Sequence, residues 1–468
     1  MRDRSVGRHV WWIGFALVGC LIRPAEAAAQ SPGAGPLTLN DAIQLALKNY
    51  PTIKESRARA QAAEEGVGVA RTAYLPRLDM FWQENRATTN NVFGLLLPQS
   101  VVPSISGPVL GTRSLGDSVW GSAAGVLLSW EAVDFGQRKA SVDVARAQTS
   151  LARNQAALTE LDVASAAADT FLAVLASEES VRAVRANVDR LQVFANNVRT
   201  LVRNQLRPGA DQSRAEAELA VANNQLSQAV LIAEVARASL ADAIGSAGTP
   251  LELASGSLAA VPQFTIEPAD VKAHPAARAG QAAVDVVRAR RRTLDRSYFP
   301  QITLQSAFAA RGTGAEAPGV PSFGNGLWLQ VPNWAVGASV TFPAFDIFSI
   351  NARKRVELQN ELAESAHYER TIQALTTQEA KARALMKAAT EIARNTPIER
   401  QAATAGESQA RARYQNGLAS VIEVAEAQRL LAQAEVDDAV ARLGIWRALL
   451  ATAQAHGDLA PFLEQVRR

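Results

Sequence analysis

The chain contains itself twice, and this duplication limits what it can fold into more than any other feature. Tyr50-Pro51 followed by Tyr74-Leu75-Pro76 returns as His274-Pro275 followed by Tyr298-Phe299-Pro300, with 275−51 and 300−76 both equal to 224. Trp130 to Asp134 returns as Phe342 to Asp346, and Asn204-Gln205-Leu206 as Asn416-Gly417-Leu418, both offset by 212. The difference of 12 residues falls in a stretch rich in Gly, Pro and Ser. Length changes are tolerated in exposed loops, so each half reads as rigid segment, variable loop, rigid segment. A period this long implies two structural copies about a pseudo-symmetry axis, not a solenoid of short repeats. The boundaries that follow are a leader over 1–29, a first repeat over 30–248, a connector over 249–267, a second repeat over 268–460 and a tail over 461–468.

The leader carries the address. Arg2, Arg4 and Arg8 precede an apolar run from Val10 to Ile22, and Ala25 to Ala29 offers small-residue cleavage sites, the pattern of a secretory signal peptide. The run is shorter than the ~20 residues that a spanning helix needs. The only cysteine, Cys20, lies inside it, where Leu17-Val18-Gly19-Cys20 resembles a lipoprotein box and makes Cys20 a candidate acylation site. Cleavage after Ala27 or Ala29 is preferred, because the apolar run continues past Cys20 through Ile22. Without the leader the chain has no disulfide and no thiolate metal site. The formal charge falls from +3 to +1 as four Arg and two acids leave. A near-neutral chain with no Lys/Arg run has no pull toward nucleic acid. A mean hydropathy of −0.03 excludes a bundle of transmembrane helices.

Leu39 to Leu47 has helical apolar spacing and an early acid, and Pro51 opens a second helix running to about Thr72. Beyond Pro76 the period changes to two. Leu78, Met80 and Trp82 oppose Asp79, Phe81 and Gln83, and Trp120, Ser122, Ala124, Val126, Leu128 and Trp130 alternate with small residues. Ile302, Leu304 and Phe308, then Trp334, Val336, Ala338, Val340 and Phe342, repeat this in the second half. One face is bulky and apolar, the other small or polar. Strands of ~9–11 such residues are long enough to cross a bilayer at a tilt. The alternative is a soluble sandwich with the bulky face inward. Four strands are too few to close a membrane barrel, so a spanning reading requires several chains to share one.

From Gly136 to Arg203 and from Ser349 to Gln415 the only proline is Pro397, so each stretch predicts a helix of ~100 Å. After the breaks at 204–209 and 416–418, each half continues with a returning helix. Ala215, Leu219, Ala222, Leu226, Ala233 and Leu240, matched by Val424, Ala427, Leu431, Ala434, Ala441 and Ile445, mark a coiled-coil seam. Asp438 interrupts the second seam.

Nothing recommends an enzyme or a cofactor. His274, His367 and His456 are far apart and none has metal-ligand spacing. Gly312-Thr313-Gly314 is too short for a phosphate loop, and no nucleophile elbow occurs.

Leu37 to Ala42 with Asn49-Tyr50-Pro51, Ala73 to Leu78, Asp134-Phe135-Gly136 and Arg413 to Leu418 together resemble the TolC-type outer-membrane efflux proteins, in that family's order and over nearly the whole chain beyond the leader. The resemblance implies an α+β fold in which each chain of a homotrimer gives four strands to a 12-stranded transmembrane β-barrel in the outer-membrane lipid. A long coiled-coil tunnel continues it across the periplasm. The implied function is passive export of small molecules or proteins, with the helical tips, Asn204, Gln205, Leu206 and Asn416, Gly417, Leu418, docking a periplasmic adaptor and through it an inner-membrane pump. It also implies acidic rings at the entrance from Glu423 and Glu426, and a gate hydrogen bond between Asp211 and Tyr414. The first tip departs from the family with Gln205 in place of Gly, followed by Arg207-Pro208-Gly209, and the family's basic locking residue is replaced by Ala419. The rival function is an adaptor-like coiled-coil interaction protein, which needs one hairpin and no membrane-facing strands.

Overall fold

The computed structural model describes residues 36–88, 116, 118–260, 262, 270–314 and 324–467. The leader, with Cys20, lies outside them. The elements are α1 (Leu39–Asn49), α2 (Pro51–Thr72), β1 (Arg77–Thr88), β2 (Ser118–Val133), α3 (Gln137–Arg203), α4 (Gly209–Ala243), α5 (Pro275–Arg296), β3 (Gln301–Thr313), β4 (Val331–Thr341), α6 (Ile347–Gln415), α7 (Val421–His456) and α8 (Ala460–Arg467). The duplication is therefore structural: α2-β1-β2-α3-α4 recurs as α5-β3-β4-α6-α7. Pro51 and Pro275 each open a 22-residue helix, where the missing N–H is not needed and φ is already set.

The strands form one antiparallel sheet in the order β1-β2-β3-β4, with β1 and β4 as its edges. They run 12, 16, 13 and 11 residues, longer in three cases than the sequence pattern predicts. Register sorts the side chains. Met80, Val126, Phe308 and Trp334 stand in one row, with Leu78, Leu128 and Val336 in the next, all on one face. Asp79, Gln83, Gln305, Arg311 and Asn333 share the other face with Gly125, Ala307 and Gly337. The bulky face is bare within the chain: Met80 is 79% exposed, Trp82 72%, Trp334 78% and Val336 74%. A soluble sandwich would bury that face, whereas among the described residues nothing packs against it.

At the junction of sheet and helices the Asp134-Phe135-Gly136 turn is held from several sides. Phe135 and Gly136 both take positive φ, 49° and 93°. Asp134 Oδ2 accepts from the Arg138 backbone N–H at 2.5 Å and from its guanidinium at 3.0 Å, which satisfies an orphan donor at the start of α3. The guanidinium continues to the Ala73 carbonyl at 3.3 Å and lies over the Tyr74 ring. The Ala73–Leu78 and Asp134–Gly136 motifs are thus two sides of one joint. In the second half, Lys354 lies over Tyr298 and Tyr298 donates to Asn351.

The main core surrounds the middle of α3, where Ala167, Ala168, Phe171, Leu172 and Val174 meet Leu39, Ala42 and Ile43 of α1, Ile53 of α2, Leu240 of α4 and the end of α7. The connector is tied to the start of the described chain, Leu37 donating to Glu252 and accepting from Ala254. The closing residues are more than a tail: they fold as α8, and Phe462 packs edge-on against the buried Trp446.

The two long helices differ in burial. Twenty-two residues of α3 are buried but only eight of α6, so α3 is an interior spine and α6 has most of its surface without a partner among the described residues. The seam is as expected, with Ala215, Ala222, Ala233 and Leu240 of α4 and Val424, Leu431, Ala434, Ala441 and Ile445 of α7 buried. Asp438, the break in that seam, is buried but meets Arg400 of α6 at 3.0 Å. No helix among the described residues is long and apolar enough to cross a membrane.

Candidate functional site

The two helical hairpins end side by side. In the second, Gly417 N–H bonds to the Tyr414 carbonyl and Leu418 N–H to that of Arg413, a left-handed helix stop with Gly417 at φ 77°. The first tip has the same pair of bonds, Gln205 to Val202 and Leu206 to Leu201, with Gln205 forced to φ 61°. The unexpected Gln therefore leaves the turn's shape unchanged and adds backbone strain. Leu206 and Leu418, 67% and 70% exposed, crown the two turns.

Asp211 and Tyr414 do not form the expected hydrogen bond. Tyr414 is buried and its Oη has no partner. Burial raises its pKa; Arg207 pulls down and Asp211 pushes up. What holds Tyr414 is Arg207, from the first tip. Its guanidinium lies 4.5 Å from the ring centroid and donates to the Tyr414 carbonyl at 2.8 Å. The ring also packs edge-on against Phe194, inside a small core of Ala195, Val198, Ala215, Ala419, Val421 and Val424. The cation that bridges the hairpins is Arg207, from the Arg207-Pro208-Gly209 segment that closes the first tip.

Glu423 and Glu426 both sit exposed on the first turns of α7. Glu423 closes a capping box: Ser420 accepts from Glu423 N–H at 3.4 Å while the Glu423 carboxylate accepts from Ser420 N–H at 3.2 Å. Glu426 pairs with Arg429, and that hydrogen bond holds its carboxyl below the usual range. Glu426 stays ionised, and the Arg429 cation beside it offsets its charge, so the pair presents less net negative charge than a lone carboxylate. Ser420-Val421-Ile422-Glu423 is a readable capping signature, whereas nothing local in the sequence announces Arg207 as Tyr414's partner. Among the described residues no group of His, Cys, Asp and Glu could hold a metal ion.

A sheet apolar on one side and polar on the other, duplicated and continued by paired ~100 Å helices, defines a membrane-strand and coiled-coil duct protein. The sequence matches the family described as outer membrane efflux protein over residues 42–246 and 271–458, and the chain belongs to that family. Its strands accordingly sit in the outer membrane and its helices in the periplasm. Among solved structures the chain is similar to CusC (TM-score 0.75, 15% identity, covering 92% of this chain and 96% of that one). It is also similar to the Campylobacter jejuni CmeC outer membrane channel (0.71, 15%, 92% and 89%) and the Neisseria gonorrhoeae MtrE outer membrane channel in its open state (0.71, 20%, 90% and 89%). No curated protein sequence matches the chain.

Proposed function

We propose that three copies of this chain close a 12-stranded barrel and form the passive exit duct of a tripartite efflux or secretion system, carrying small molecules or proteins from an inner-membrane pump to the exterior. The observation that carries this reading is the sheet itself. It has two open edges and a bare apolar face, so in lipid its backbone groups are satisfied only if β1 of one chain pairs with β4 of the next. The polar face, with Asp79, Gln83, Gln305, Arg311 and Asn333, then lines the lumen. No energy source is needed in the chain, and no nucleic acid or cofactor enters the scheme.

The tips, crowned by Leu206 and Leu418, are the adaptor-docking points. Glu423 and Glu426, repeated by threefold symmetry, face the entrance, and the Arg207 clasp on Tyr414 sets the angle between hairpins that keeps it narrow. The test is to extract the protein in mild detergent, measure its mass and reconstitute it in planar bilayers. A trimer that conducts supports the duct; a chain that stays monomeric and dissolves without detergent rules it out. Photo-crosslinking from position 418 in intact cells identifies the adaptor.

A further inference from the structure

The duplication supplies its own control for charge. Residues 288–296, the end of α5, hold five Arg against one Asp, a formal +4, whereas the equivalent residues 64–72 of α2 hold two Glu against one Arg, a formal −1. Both helices do the same structural work, each delivering the chain to a strand of the sheet. The fold therefore does not require the cations on α5. Arg288 and Arg291 are engaged inside the chain, both meeting Glu361 of α6, while Asp295 is taken by Lys354. Arg290, Arg292 and Arg296 remain exposed, with no acid partner among the described residues. Arg292 and Arg296 stand four apart and so share one face of α5. Arg290 lies on another, lining a groove with Leu294 and Val356.

The Arg296 side chain passes beside Gly136, where an added Cβ would meet its Nε at 3.9 Å. Phe135, next to that glycine, stacks on Phe299 with ring centroids 5.9 Å apart, and the rings are 47% and 42% exposed. Phe342, Phe345 and Phe348 carry an exposed aromatic surface past the end of β4. Aromatic rings gathered at strand ends mark where a membrane strand leaves the hydrocarbon. The strands lie in the outer membrane, so Phe135 and Phe299 stand at its periplasmic surface. Arg292 and Arg296 span only ~6 Å of helix below them, the thickness of one headgroup layer. A guanidinium is matched to phosphate oxygens, and two of them one turn apart hold a phosphate from both sides. From this geometry we propose that Arg292 and Arg296 bind the headgroup phosphate of an anionic phospholipid whose acyl chains lie against Phe135 and Phe299. A zwitterionic lipid offers the same phosphate but brings its own ammonium, which the uncompensated cations of α5 repel. The site is built within one chain and rests on the outer-membrane placement, not on closure of a barrel.

The probe is dioleoylphosphatidylglycerol, titrated against the full-length protein in mild detergent and counted per chain by native mass spectrometry. Dioleoylphosphatidylcholine and inorganic phosphate are the comparisons. Saturable binding of phosphatidylglycerol is expected, about fivefold or more tighter than that of phosphatidylcholine, and weakened by salt. Arg292→Gln and Arg296→Gln should each lower its affinity roughly fivefold and together about 25-fold. Arg290→Gln, which removes the same charge from another face, should leave it unchanged. Equal losses from Arg290→Gln and Arg296→Gln overturn the site in favour of net charge alone. Equal binding of the two lipids overturns it too, as does displacement by inorganic phosphate at matched concentration, which makes it a free-anion site. The count per chain is the same readout for a monomer or a trimer, so failure of the duct reading and failure of this site are separate results.

Discussion

Removing the Arg207 guanidinium tests the tip directly. A cation over a partly desolvated ring contributes about 1–2 kcal/mol, and a charged hydrogen bond to a carbonyl roughly as much again. For the half-buried Arg207 the combined contribution is about 2 kcal/mol, or roughly 30-fold in the equilibrium between joined and separated hairpins. If three clasps must release together, the sum is about 6 kcal/mol and the open fraction changes by about 10⁴. Arg207→Ala in planar bilayers should therefore raise the open probability steeply, with Arg207→Lys intermediate because it keeps the charge but loses the planar donor. The discriminating control is Tyr414→Phe. Tyr414 Oη has no partner, so deleting it leaves both ring and carbonyl for Arg207 and conductance should not change. A Tyr414→Phe channel as open as Arg207→Ala would show that the hydroxyl, bonded to Asp211, holds the tip, and the reasoning here would be wrong.

Arg400→Ala strands the buried Asp438 and should cost about 1–2 kcal/mol, visible as a lower thermal midpoint by circular dichroism, while Arg400→Ala with Asp438→Leu should recover it by continuing the apolar seam. Gln205→Gly removes the positive-φ strain and should slow amide exchange at the first tip by about 1 kcal/mol in opening free energy; faster exchange would contradict the turn geometry. Glu423→Gln preserves the capping box while removing a charge, so a drop in cation selectivity without loss of helicity is the expected result, and Glu426→Gln should go further by freeing Arg429. For Asp134, burial raises the pKa but the Arg138 and Gly136 hydrogen bonds outweigh it and hold the carboxyl low. A depressed folded pKa stabilises above the unfolded value of about 3.9 and is lost as pH falls through the folded one, so acid unfolding should begin earlier in Asp134→Asn than in the native chain.

The fold was legible because its two signals are periodic. Alternation at 78–82 and 334–342 set the sheet faces, and seven-residue spacing from Ala215 to Leu240 set the seam; both depend on backbone geometry alone. The tip was only partly legible. Gln205 looked like a departure in shape, yet hydrogen bonding of the turn dictates the left-handed position whatever residue occupies it. Arg207 and Tyr414 are 207 residues apart, and only the folded chain reveals that a side chain just past one tip serves a ring in the other hairpin. Asp438 is similar: its partner Arg400 lies one helix away, just past Pro397, and no local pattern joins them.

The bareness of α6 has a consequence for the life of the newly exported polypeptide. A 69-residue rod with eight interior residues is attached along one flank only, so under the proposed trimer a lone subunit arriving in the periplasm would be exposed to holdase chaperones and proteases until copies meet. Its survival then scales with how many siblings are nearby, and abundance would fall off more steeply than synthesis rate.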